Sequence, residues 1–120
     1  VSHSLGTVVA YNVLRLNAQQ KGWKIPFFVT LGSPLAITVI KQKLAGIKPI
    51  GFPARVSAWF NAMDERDVVS LYPLDGSNFP LTPAIANKTD VHNPTPNAHG
   101  ISGYLGDAEV AKRIYDAVLA

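Results

Sequence analysis

The sequence has no cysteine, little charge of either sign and only short apolar runs. Without cysteine, disulfides, thiolate zinc sites and a cysteine nucleophile are all excluded. Charged residues make up 16% of the 120, and the 11 Lys and Arg are scattered rather than clustered. A net charge of +3 spread in that way reads as a solvated surface, so no nucleic-acid partner is expected. No apolar run approaches the roughly 18 residues of a membrane span, so no integral membrane segment is expected. No secretory leader is recognisable; the compartment stays open, with the cytoplasm as the default expectation. Hydrophobic residues at 48% exclude a disordered chain, and the length suits a single domain over residues 1–120.

What is present is an alternation of helical and strand patterns. Over residues 5–19, Leu5, Val8, Val9, Asn12, Val13 and Leu16 share one face at helical spacing, with Gly22 as the stop. Ile25 to Leu31 is a continuous apolar run, as expected of a strand buried on both faces. Residues 35–45 predict a second helix with Ala36, Val39, Ile40 and Leu44 inward and Gly46 as its stop. Arg55 to Met63 alternates as a second strand. Residues 64–87 are rich in turns, with a short helix expected over Pro83 to Asn87. Lys88 to Asn93 reads as a third strand and Pro94 to Gly103 as loop. Asp107 to Leu119 predicts a last helix, capped by Asp107, with Val110, Ile114 and Val118 on one face. The alternation predicts an α/β fold: a short, mostly parallel sheet with flanking helices.

The chemistry concentrates in Val1-Ser2-His3-Ser4-Leu5-Gly6. A small residue, His, Ser, any residue and Gly is the pattern of a nucleophile elbow, a tight strand-to-helix turn that presents the serine. No strand pattern and no initiator Met precede it, so the chain is expected to be the back half of something larger. Serine is a poor nucleophile until a histidine takes its proton and a carboxylate orients that histidine. The order serine, acid, histidine is met by Ser4, then Asp64 or Asp67, then His99. Each falls in a loop at the carboxyl end of an expected strand, where open α/β sheets carry their sites. Singly, each has an ordinary reading: a helix cap, a turn former, a solvated ring. His3 and His92 compete for the histidine role. His3, beside Ser4 on a sharp turn, is expected to point away and serve as packing or rim, whereas His92 falls within the third strand. The three histidines show no ligand spacing with Asp or Glu on one helix face, so no metal is expected.

Four segments together carry a resemblance: Ser2-His3-Ser4-Leu5-Gly6; Val29 to Leu35; Trp59-Phe60-Asn61 with Asp64 and Asp67-Val68-Val69; and Ala98-His99 through Tyr104. In these the chain resembles the C-terminal half of an α/β-hydrolase-fold serine hydrolase of the lipase and esterase type. The resemblance implies Ser4 as nucleophile, Asp67 as orienting acid with Asp64 as the alternative, His99 as general base, and the Leu5 N–H as one donor of the oxyanion hole. It implies a small-molecule ester or related acyl substrate and no cofactor. The family's pattern has a glycine where Ser2 stands, for which a small residue is the mildest replacement. The strand leading into the serine and the loop giving a second oxyanion N–H are not among these residues. Val1 to His3 is expected to be too short to brace the elbow, leaving Ser4 on a flexible terminus. Ile25 to Leu31 is then expected to be an open apolar edge, and the chain to form a homodimer or pair with the missing N-terminal half. The alternative is an inactive hydrolase-derived module that self-associates through that edge.

Overall fold

A computed structural model describes residues 1–120. The elements run β1 (Ser2–His3), α1 (Gly6–Lys21), β2 (Phe28–Leu31), α2 (Thr38–Ile47), β3 (Trp59–Ala62), β4 (Ala86–Lys88), α3 (Ile101–Leu105) and α4 (Ala108–Leu119). The four strands form one sheet in the order β1-β2-β3-β4, and every neighbouring pair is parallel. The fold is thus α/β with flanking helices, and its sheet is wholly rather than mostly parallel.

The sheet is buried on both faces because helices lie on both. In β2 and β3 all eight residues are buried. Successive side chains alternate between faces. Phe28 and Trp59 join Tyr11 of α1, Leu44 of α2, Leu35, Leu74 and Phe79 in one core. Val29, Leu31, Phe60 and Ala62 join Tyr104 of α3 and Val110 of α4 in the other. The first core also holds a polar ladder across three strands. Trp59 Nε1 donates to Thr30 Oγ1, Thr30 donates to Asn61 Oδ1, and Asn61 donates to Asn87 Oδ1. Every member has a partner, which removes the penalty of burying polar groups in a core.

Several expectations are corrected. Helix α1 turns a different face to the sheet: Thr7, Tyr11, Arg15 and Ala18 are buried, while Leu5, Val9, Val13 and Leu16 are exposed. The physical reason lies in the polar tips of the inward row. The Tyr11 hydroxyl donates to the Gly51 carbonyl, and Arg15 donates to the Leu44 and Lys48 carbonyls at the C-terminal end of α2. The Leu44 carbonyl also accepts from the Lys48 N–H, and a buried guanidinium adds a second bond there and meets the negative end of the helix dipole. Gly22 does end α1, in a left-handed conformation (φ +68°), with its N–H on the Ala18 and Gln19 carbonyls. Helix α2 passes through Gly46 to Ile47, and Val39 is exposed.

The third strand is Ala86–Lys88 rather than Lys88 to Asn93, and no helix forms over Pro83 to Asn87. The Asn87 side chain bonds the backbone of Leu74 and Ile85, which fixes this stretch as strand. Farther on, the Asn93 N–H donates to Asp64 Oδ2 and draws the chain out of the sheet. Part of the expected loop Pro94 to Gly103 is the start of α3. Helix α4 is as expected at its start: Asp107 accepts from the Glu109 and Val110 N–H groups. Val110 is buried, but Val118 is exposed.

The first residues are also better held than expected. Ser2 and His3 pair with Thr30 and Leu31, Ser2 Oγ donates to the Val29 carbonyl, and the Ser4 N–H donates to the Leu31 carbonyl. Two residues in register are enough to tie the turn to the sheet, because each bond lands on a strand already buried. The open edge is therefore β1, with only the start of β2 uncovered beside it.

Candidate active site

Three loops meet at the carboxyl ends of the parallel strands, the position favoured for sites in open α/β sheets. Ser4 lies between β1 and α1, Asp67 follows β3, and His99 lies between β4 and α3. Ser4 has φ +58°, a conformation rare for a residue with a side chain and one that marks strain at a sharp turn. Its carbonyl accepts from both the N–H and the hydroxyl of Thr7. That hydroxyl's one proton is thereby used, so Ser33 donates to Thr7 Oγ1 and links the elbow to the loop after β2.

The structure brings Ser4, His99 and Asp67 into a hydrogen-bonded series. Ser4 Oγ is 2.7 Å from His99 Nε2, and His99 Nδ1 is 2.8 Å from Asp67 Oδ2. Burial by itself would push the Asp67 carboxyl up, but hydrogen bonds from Tyr104, His99 and the Val69 N–H outweigh it and hold it below its ordinary value. The carboxylate can then only accept, so Nδ1 of His99 carries a proton, and in the neutral ring Nε2 is the acceptor that faces the Ser4 hydroxyl. The geometry suits proton removal from a serine hydroxyl by a base held in one tautomer.

Asp64 is brought close but faces elsewhere. Its carboxylate takes two bonds from the Arg66 guanidinium, and the Asn93 and Arg66 N–H groups as well. The Arg66 guanidinium holds the carboxyl well below the ordinary aspartate range; burial opposes it and the two N–H bonds assist. All four partners belong to loop architecture, so Asp64 anchors the segments that carry Asp67 and His99. His92 is exposed and takes no part. His3, contrary to expectation, turns into the site: its ring stacks on that of His99. The Leu5 N–H, at the N-terminal end of α1, donates to no group of the chain, and the positive end of the helix dipole lies there.

Sequence reasoning missed three supporting residues. Tyr104 donates to Asp67 Oδ2 at 2.7 Å and accepts from the Asp64 N–H at 3.0 Å, so one hydroxyl spans both carboxylate segments. Burial, then the Asp67 carboxylate, push its pKa well above the ordinary tyrosine value and keep it a donor. Asn93 holds the histidine loop, donating to the Ala98 and Gly100 carbonyls. Gly32 has φ +56°, and a Cβ there would stand 2.9 Å from Asp67 Oδ2 and 3.1 Å from His99 Nδ1. The only signal available in advance was Gly32-Ser33 after an apolar run, a pattern shared by many turns. No family model, no curated protein and no solved structure matches the chain.

Proposed function

We propose that the chain is the triad-bearing part of a serine hydrolase of the α/β-hydrolase type, acting on ester or related acyl bonds. Ser4 is the nucleophile, His99 the general base and Asp67 the orienting acid. The observation that carries this reading is the unbroken series Ser4–His99–Asp67, at 2.7 and 2.8 Å, on a turn with φ +58° at the serine.

Ser4 Oγ adds to the carbonyl carbon while its proton passes to His99 Nε2. Asp67 stabilises the imidazolium that forms. The Leu5 N–H and the helix start stabilise the oxyanion. His99 then gives the proton to the leaving oxygen as the C–O bond breaks, leaving an acyl group on Ser4. Water adds to that acyl carbon, giving its proton to His99; collapse releases the acid and returns the proton to Ser4 Oγ. A fluorophosphonate probe tests the first step without a chosen substrate. We expect one covalent label on the chain and none on Ser4→Ala; a folded but unlabelled chain would remove the proposal.

A second reading is a catalytically inactive, hydrolase-derived module that self-associates. It is favoured by the row Leu5, Val9, Val13 and Leu16, each at least 40% exposed, along the helix that packs against the edge strand β1. On the other face, Val1, Phe27, Val29, Ile114 and Val118 line an apolar groove of about 190 Å³. Sedimentation over a concentration series separates the readings when combined with labelling: association without label supports the second.

A further inference from the structure

The geometry points to His3 as a positioning residue for His99, an inference that rests on the hydrolase reading above. His3 ends β1, one residue before Ser4. Its Nε2 lies 2.6 Å from the His99 carbonyl oxygen. Its ring stacks on the His99 ring, with centroids 4.6 Å apart and planes inclined by 29°. A carbonyl oxygen only accepts, so His3 carries a proton on Nε2. One side chain thus grips both the peptide and the ring of the base.

The grip matters because of where His99 sits. From Thr89 to Gly100 the chain has neither helix nor strand. Asn93 and Asn97 hold this segment from within, the latter by accepting the His99 N–H. Of the two bonds of the His99 ring, the one to Ser4 exchanges its proton during the reaction, and the one to Asp67 changes in strength as the ring gains and loses charge. His3 supplies a bond that does not change, running from the strand that ends in the nucleophile to the peptide that carries the base. It thereby fixes the Ser4–His99 separation, and a misplacement of about 1 Å between reacting groups can cost a factor of about 10² in rate. A ring that merely filled space beside Tyr104, 6.1 Å away, would not need the donor.

Three variants of the full chain separate donor from ring. His3→Phe keeps a ring and deletes the donor; His3→Gln keeps a donor and deletes the ring; His3→Ala deletes both. The readouts are the rate of fluorophosphonate labelling, kcat and KM on a p-nitrophenyl ester, the thermal midpoint, and amide exchange at His99 and Gly100. We expect labelling and kcat to fall about three- to tenfold in His3→Phe, the effect of one hydrogen bond. The fall should approach about 10²-fold in His3→Ala. KM should stay within about twofold, and His3→Gln should recover part of the rate. Exchange at His99 and Gly100 should quicken in His3→Ala while β2 and β3 keep their protection. Unchanged labelling and kcat in both His3→Phe and His3→Ala overturn the inference. So does a rise in KM at constant kcat, which would make His3 a substrate contact. A loss of rate that follows the thermal midpoint alone, with exchange at His99 unaltered, overturns it as well. If the unmodified chain neither labels nor turns over, the hydrolase reading falls. Exchange then decides the grip by itself: unchanged protection at His99 in His3→Ala defeats it.

Discussion

Two aspartates three residues apart have opposite employments, and their partners decide which. Asp67 faces His99 and Tyr104; Asp64 faces Arg66 and the Asn93 peptide. In Asp67→Asn the side-chain amide can no longer fix His99 with its proton on Nδ1. We expect the labelling rate to fall by up to about 10⁴-fold, with the fold kept. In Asp64→Asn the loss should appear in the melting temperature, with labelling per folded molecule within about tenfold of the parent, the scale of one bond. Measured side by side, the two variants assign the acid. Tyr104→Phe removes one hydroxyl bond from Asp67 and leaves the Asp64 N–H without its acceptor. We expect a cost of about 1–3 kcal/mol in a denaturant titration, the penalty of an unsatisfied buried group. Asp67 should also titrate closer to its ordinary value.

Among the elements, α1 shows how periodicity misleads. Its apolar row is real, but the row with Tyr11 and Arg15 goes inward, because those side chains combine apolar bulk with polar tips that reach carbonyls of other segments. Such long-range partners leave no trace in local spacing. Helix α4 was legible to its first turn, since an Asp cap acts on N–H groups two and three residues away. The test of the α1 face is direct. Val9→Glu should change unfolding free energy by no more than about 0.5 kcal/mol, as at an exposed site. It should also weaken any association seen in sedimentation. A loss of several kcal/mol would put Val9 in a core instead.

For the molecule as a whole, acid stability gathers the site's charges into one measurement. Asp64 and Asp67 are both held below the ordinary value of 3.8 in the folded state. The unfolded chain therefore binds more protons as pH falls below that value. The stability the two groups contribute is fully present above it and is lost as pH drops through their folded values. We expect the urea midpoint to decline from about pH 5 to pH 2, and the decline to be shallower in Asp64→Asn.

The sequence by itself determined the α/β alternation, one strand (Ile25 to Leu31) buried on both faces, the elbow pattern at Ser4, and the order of serine, acid and histidine. These are local properties of spacing and residue type. The alternating reading of Arg55 to Met63 missed that all of Trp59–Ala62 is buried. Only the tertiary structure decided which aspartate meets His99, which face of α1 turns inward, and that the His3 ring stacks on His99 rather than pointing away. Each of those depends on contacts between residues 29 to 96 positions apart. Contacts of that range are set by packing and by satisfaction of buried polar groups, which leave no periodic signature along the chain.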